Sequence, residues 1–139
     1  MKPPCVIVVK YILPAIRMLV AKELIEKYDM CGIDASAIME LTPAAITQYL
    51  KGKRGAMFIH EILRSEEAMK KVSKLAETLA RKNVSMEDVM KRLCEICVMI
   101  RSEELVCKLH QKELPALKGC AMCKCVRTNK AYLKHEVRG

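Results

Sequence analysis

The chain has 139 residues, a formal net charge of +9 and a pI near 9.2, and 52% of its residues are apolar, enough to build a core. With one Phe, four Tyr and no Trp, that core has to be packed from Leu, Ile, Val, Met and Ala. Five Gly and five Pro give little strand-and-turn punctuation, which speaks against a sheet sandwich and for an all-α chain. No stretch reaches the roughly 18–20 apolar residues of a membrane span. The apolar run Val6–Leu13 is broken by Lys10 and stopped by Pro14, so it does not read as a signal peptide. The expectation is a cytoplasmic protein of one compact domain, or of one domain with a small appended subdomain.

Residues 4–13 (PCVIVVKYIL) are open to three readings: a short strand, an extended arm or the lead into a first helix. Pro14 suits a helix start, because a first-turn proline lacks only an N–H that would be unpaired anyway. Ile16, Leu19, Val20, Leu24 and Ile25 then recur at helical spacing through Tyr28. Two short helices are expected over about 34–40 and 43–51, split by Leu41 and Thr42. Asp34 is a candidate cap for the first of them. A basic turn, KGKRG, follows at 51–55, and residues 57–63 carry no firm assignment.

Glu66–Lys82 reads as an amphipathic helix with Met69, Val72, Leu75, Ala76 and Leu79 on one face. Ser85 can cap the next helix, with Asp88 in the capping-box position where Glu or Gln is more usual. That helix is expected to reach about Ser102, and a further one covers about 103–112. Residues 118–139 form a Cys-rich turn and a basic tail with six Lys or Arg against one Glu. The division is residues 1–63 and residues 64–139, the second a helical dimerisation and cysteine-cluster region comprising the amphipathic helices and a small Cys-rich C-terminal subdomain. The apolar face of Glu66–Lys82 exceeds what one small domain needs, which points to a homodimer through this helix or its successor.

Within Gly32–Lys51, the residues Ala35, Met39, Leu41, Ile46 and Tyr49 are apolar where two short helices must pack, and Ser36 is small where they cross. Thr42 can cap the second helix and Pro43 can open it. Pro43, Ala44, Thr47, Gln48 and Lys51 then point outward. An amide such as Gln48 can both donate to and accept from a base edge, most readily adenine, and Thr47 can meet a thymine methyl or a phosphate. Lys51, Lys53 and Arg54 on the glycine-flanked turn suit phosphates, in keeping with a basic chain that favours polyanions. The bland reading of the same residues is an ordinary helical hairpin with a solvated basic loop.

Eight cysteines are many for a chain expected to stay in a reducing compartment, where clustered thiols more often bind metal than pair as disulfides. Cys94 and Cys97 are three apart on one helix face. Cys120 and Cys123 form a second CxxC after Gly119, with Cys107 as a fifth candidate ligand. Cys5 and Cys31 read as small buried hydrophobes. Four thiolates suit either a zinc tetrahedron or an iron–sulfur cluster, although the linear ferredoxin run is absent.

The stretch PCVIVVKYILPAIRMLVAKELIEKY, followed by LTPAAITQYLKGKRG, resembles the Cro/XRE-like helix-turn-helix of a group of archaeal transcriptional regulators. The resemblance runs from Pro4 to about Gly55. It extends more loosely over CEIC, CKLH and CAMC, which suit members with a short cysteine-rich tail. It implies sequence-specific binding to a double-stranded DNA operator as a homodimer, and it favours a [4Fe–4S] cluster over zinc. Two positions depart from the family pattern. Glu40 stands where the turn usually carries Gly, often at positive φ, and Cys31-Gly32 replaces a polar cap.

The leading expectation is a regulator that senses iron, oxygen or redox state through its cluster. A DNA-binding protein with a structural zinc site comes second, and an electron-carrying or cluster module of an enzyme third. No nucleotide loop, nucleophile–base pair or paired carboxylates are visible, so the chain itself is not expected to be an enzyme.

Overall fold

The computed structural model describes residues 4–53, 59–81, 83–102, 107, 111, 115–117 and 119. Arg54, Cys120, Cys123 and most of the expected helix over 103–112 lie outside these residues. Among the described residues every element is helical, in line with the all-α expectation. In chain order they are α1 (Pro4–Ile7), a π-helical turn (Val8–Ile12), α2 (Leu13–Glu26), α3 (Gly32–Ile38), α4 (Pro43–Leu50), α5 (Ile59–Arg64), α6 (Glu66–Ala80), α7 (Met86–Ser102) and a 3-10 turn (Pro115–Leu117).

The first ten described residues are thus neither strand nor arm. Helix runs unbroken from Pro4 to Glu26, so Pro14 sits within it and does not begin it. A proline ring inside an α-helix clashes with the carbonyl four residues earlier and deletes a hydrogen bond. The wider turn ahead of Pro14, in which the Leu13 amide donates five residues back to Val8 O, answers the first problem by giving the ring room. It also sets which residues face inward: Ile7 and Ile12 are five apart, yet both are fully buried.

α2 is the central helix. It packs against α3, α4, α5 and α6, and α6 in turn packs against α7. One core joins Ile12, Ile16 and Val20 of the N-terminal helix with Val72, Leu75 and Ala76 of α6 and Ile96, Met99 and Ile100 of α7. Residues from both sides of the Leu63–Arg64 division therefore share a single apolar cluster. Burying each Leu, Ile or Val side chain stabilises by about 1.5–3 kcal/mol. α6 spends its apolar face inside the protomer: Val72, Leu75, Ala76 and Leu79 are all buried, and Met69 is half-buried.

Caps follow the sequence. Ser65 Oγ accepts from the Ala68 amide at 3.2 Å to open α6, and Ser85 Oγ accepts from the Asp88 amide at 3.2 Å to open α7. The stretch at 57–63 resolves in part into α5, whose Ile62 is fully buried.

Candidate nucleic-acid interface and cysteine pair

α3 and α4 are joined by Met39–Thr42 and pack against each other and against α2. α3 begins at Gly32, two residues earlier than expected, with Cys31 at the cap position and no side-chain cap hydrogen bond. Asp34 consequently lies inside the first turn and is not the cap. A carboxylate there still faces the positive end of the helix dipole. Ser36 is buried, and its Oγ donates to the Ile33 carbonyl at 2.7 Å, which satisfies the hydroxyl where the helices cross.

α3 closes with Glu40 in left-handed backbone at φ 53, while the Leu41 amide donates back to Ser36 O at 2.8 Å. That six-to-one bond around a left-handed residue is a Schellman stop, usually made with glycine. The chain then turns into α4. Thr42 is extended, and its Oγ1 accepts from the Ala45 amide at 3.1 Å; Pro43 takes the first helical position.

Ala45, Ile46 and Tyr49 of α4 are buried and hold it in place. Ala35 is buried as expected, whereas Met39 and Leu41 are only half-buried. Pro43, Ala44, Thr47 and Lys51 are exposed on the opposite side, and Gln48 is half-buried between the two faces. Thr47 Oγ1 donates to the Pro43 carbonyl at 3.1 Å, and the residue is exposed. α4 ends in a second Schellman stop: Gly52 has φ 70, and the Lys53 amide donates to Gln48 O at 3.0 Å. Lys53 is exposed there.

Of the five cysteines singled out, three are described, and none of these is in a disulfide. Cys94 and Cys97 share α7, the first exposed and the second half-buried, and Cys107 is buried. Cys31 is exposed, contrary to its reading as a core residue. Among the described residues no three His, Cys, Asp or Glu side chains converge on one point. The α7 pair fits one edge of a four-thiolate centre, since residues three apart on a helix can reach a common ion.

Attention to cysteines alone passes over Met86 and Met90. Both are exposed, and they precede Cys94 at intervals of four residues on α7. They also line an apolar groove of about 170 Å³ whose other walls include Met39 and Glu40 at the end of α3 and Leu75 and Leu79 of α6.

No protein-family model, curated protein or solved structure matches the chain. Among the described residues no helix is long and apolar enough to cross a membrane.

Proposed function

We propose that the chain is a DNA-binding transcriptional regulator of the Cro/XRE-like helix-turn-helix kind, with α4 entering the major groove. The observation that carries this reading is the outward row Pro43, Ala44 and Thr47, continued by Lys51 at the C-cap, on an eight-residue helix with both ends stopped and its other face buried. Gln48, Thr47 and Ala44 have the chemistry to read base edges and thymine methyls, and Lys51, Lys53 and Arg54 to hold phosphates. An eight-residue reading helix offers few base contacts, which favours a homodimer on a two-fold operator. Its pairing surface is one other than the buried face of α6.

The sensing half of the proposal is a [4Fe–4S] cluster on thiolates drawn from Cys94, Cys97, Cys107, Cys120 and Cys123. Such a cluster, when bound, supplies a centre whose integrity depends on iron and on oxidants. The chain's own part is to hold thiolates on α7, the helix packed on α6 and through it on α2.

The test is operator selection from random duplexes, followed by a visible spectrum of anaerobically purified protein. A selected consensus with two half-sites and a broad band near roughly 400 nm, as cysteine-ligated iron–sulfur clusters give, would support both halves. Failure to enrich any sequence would overturn the regulator reading. A colourless protein carrying zinc would replace the cluster with the structural zinc site.

A further inference from the structure

The described face of α7 is a row of sulfur. Met90, Cys94 and Cys97 stand at i, i+4 and i+7, the spacing that stacks side chains on one helix face. Met86 extends the row by one more turn. Much of the row is open to solvent: Met86 and Met90 are 43% and 45% exposed, Cys94 is exposed and Cys97 is half-buried.

Two carboxylates of this helix lie beside lysines: Glu87 pairs with Lys91 at 3.3 Å, and Glu95 with Lys71 at 3.9 Å. The donors along the row itself are two thiols and two thioethers.

Thiolate with thioether is the donor set that selects soft monovalent d10 cations of the copper(I) type. Zinc takes thiolate, imidazole or carboxylate and makes no use of a thioether. Methionine has three rotatable bonds, which lets Met90 swing its sulfur toward Cys94.

We propose that, in the chain without its cluster, Cys94, Cys97 and Met90 bind a soft monovalent cation of the copper(I) class. Occupancy by this ion and by the proposed cluster is mutually exclusive, because four thiolates drawn from those five cysteines include at least one of Cys94 and Cys97. Met90 also lines the groove shared with Met39 and Glu40, so the bound ion fixes an exposed side chain beside the turn between α3 and α4. The inference does not depend on DNA binding.

The experiment uses full-length protein, anaerobic and cluster-free, labelled with 13C at the methionine methyls. Cys120, Cys123 and Cys125 are replaced by Ser to remove competing tail thiols. Silver(I) is the redox-inert probe. The Met90 methyl resonance, assigned by its loss in Met90→Leu, should move with the first equivalent of silver(I) and stay in place with zinc(II). Losing a metal ligand costs at least as much as losing its outer-shell partner, so Met90→Leu should weaken silver(I) binding by roughly tenfold or more. Because Met90 is exposed, that variant should keep its helical circular dichroism. Cys94→Ser with Cys97→Ser should abolish the shift. A Met90 methyl that stays put while silver(I) binds, or unchanged affinity in Met90→Leu, would overturn the proposal. Neither result touches the regulator reading, which is judged on operator selection with the unaltered chain.

Discussion

The Lys53 amide donates a 3.0 Å hydrogen bond to the carbonyl of Gln48. The residue proposed to read a base and the residue proposed to hold a phosphate are thereby tied through one backbone bond around Gly52. Their effects on binding should still differ in kind. Gln48→Ala should relax preference at one operator position by about 1–3 kcal/mol. Lys53→Ala should weaken all sequences alike and flatten the salt slope by about one. Affinities for the selected site and single-base variants across a salt series check both. Unchanged binding in both variants would sink the assignment of α4.

The two Schellman stops should respond oppositely to exchange of glycine. Gly52 sits at φ 70 with nothing within 4 Å of an added Cβ, so the penalty of Gly52→Ala is purely conformational, about 1–2 kcal/mol. Glu40 already bears that cost at φ 53, and Glu40→Gly should return up to about 1 kcal/mol after the added freedom of the unfolded chain is counted. Urea midpoints of the two variants decide the matter. Gly52→Ala should also weaken DNA binding, because Lys53 takes its position from that turn.

Ser73 of α6 donates a 2.7 Å hydrogen bond to Glu23 Oε1 on α2, while Glu23 Oε2 is buried without a hydrogen-bond partner. Ser73→Ala leaves the carboxylate less well satisfied and should cost about 1–3 kcal/mol, read from denaturant unfolding. Replacing both residues by apolar ones of similar shape should cost less than that single change. A double variant worse than Ser73→Ala would contradict this account of the α2–α6 contact.

Cys97→Ser or Cys123→Ser should abolish the chromophore of the proposed cluster, and Cys31→Ser should leave it intact. Operator affinity of cluster-loaded and cluster-free protein, measured under identical salt and anaerobic conditions, should differ by about 1–3 kcal/mol, or roughly 5–150-fold. The shared core supports such coupling, since α7 and the N-terminal helices contribute to one apolar cluster. Equal affinities would reduce the cysteines to a structural staple.

Sedimentation at micromolar concentration should show a dimer. An apolar-to-charged change on the buried face of α6, such as Val72→Glu, should unfold the chain outright and not yield a folded monomer, because Val72 is fully buried within the protomer.

Regular periodicity and strong caps were legible in the sequence. α6 and α7 match their expected bounds closely because the apolar residues keep one phase and Ser85 marks the start of α7; the Ser65 cap of α6 emerges only from the structure. Thr42-Pro43 fixed the start of α4 for the same reason. The N-terminal segment was not legible, because Ile7 and Ile12 lie five residues apart, a spacing that fits neither an α-helix nor a strand. The apolar face of α6 looked surplus because a one-dimensional pattern does not reveal that α2, α5 and α7 all pack on it. The exposure of Cys31 was hidden for a related reason: burial follows from which helix covers a residue, and residue type is a weak guide to that.

The wide turn at Val8–Ile12 also bears on how the chain tolerates changes of length. A π turn holds one residue more than an α turn, so losing one residue there, such as the exposed Val9, turns it into an ordinary α turn without rotating Ile7 out of the core. Elsewhere in these helices a one-residue deletion swings everything on one side of it by roughly 100°. Pro14 alone opposes such a deletion, because its ring then meets the carbonyl four residues back. Shortening the turn and replacing the proline are therefore linked events, neutral together and costly when the deletion comes first.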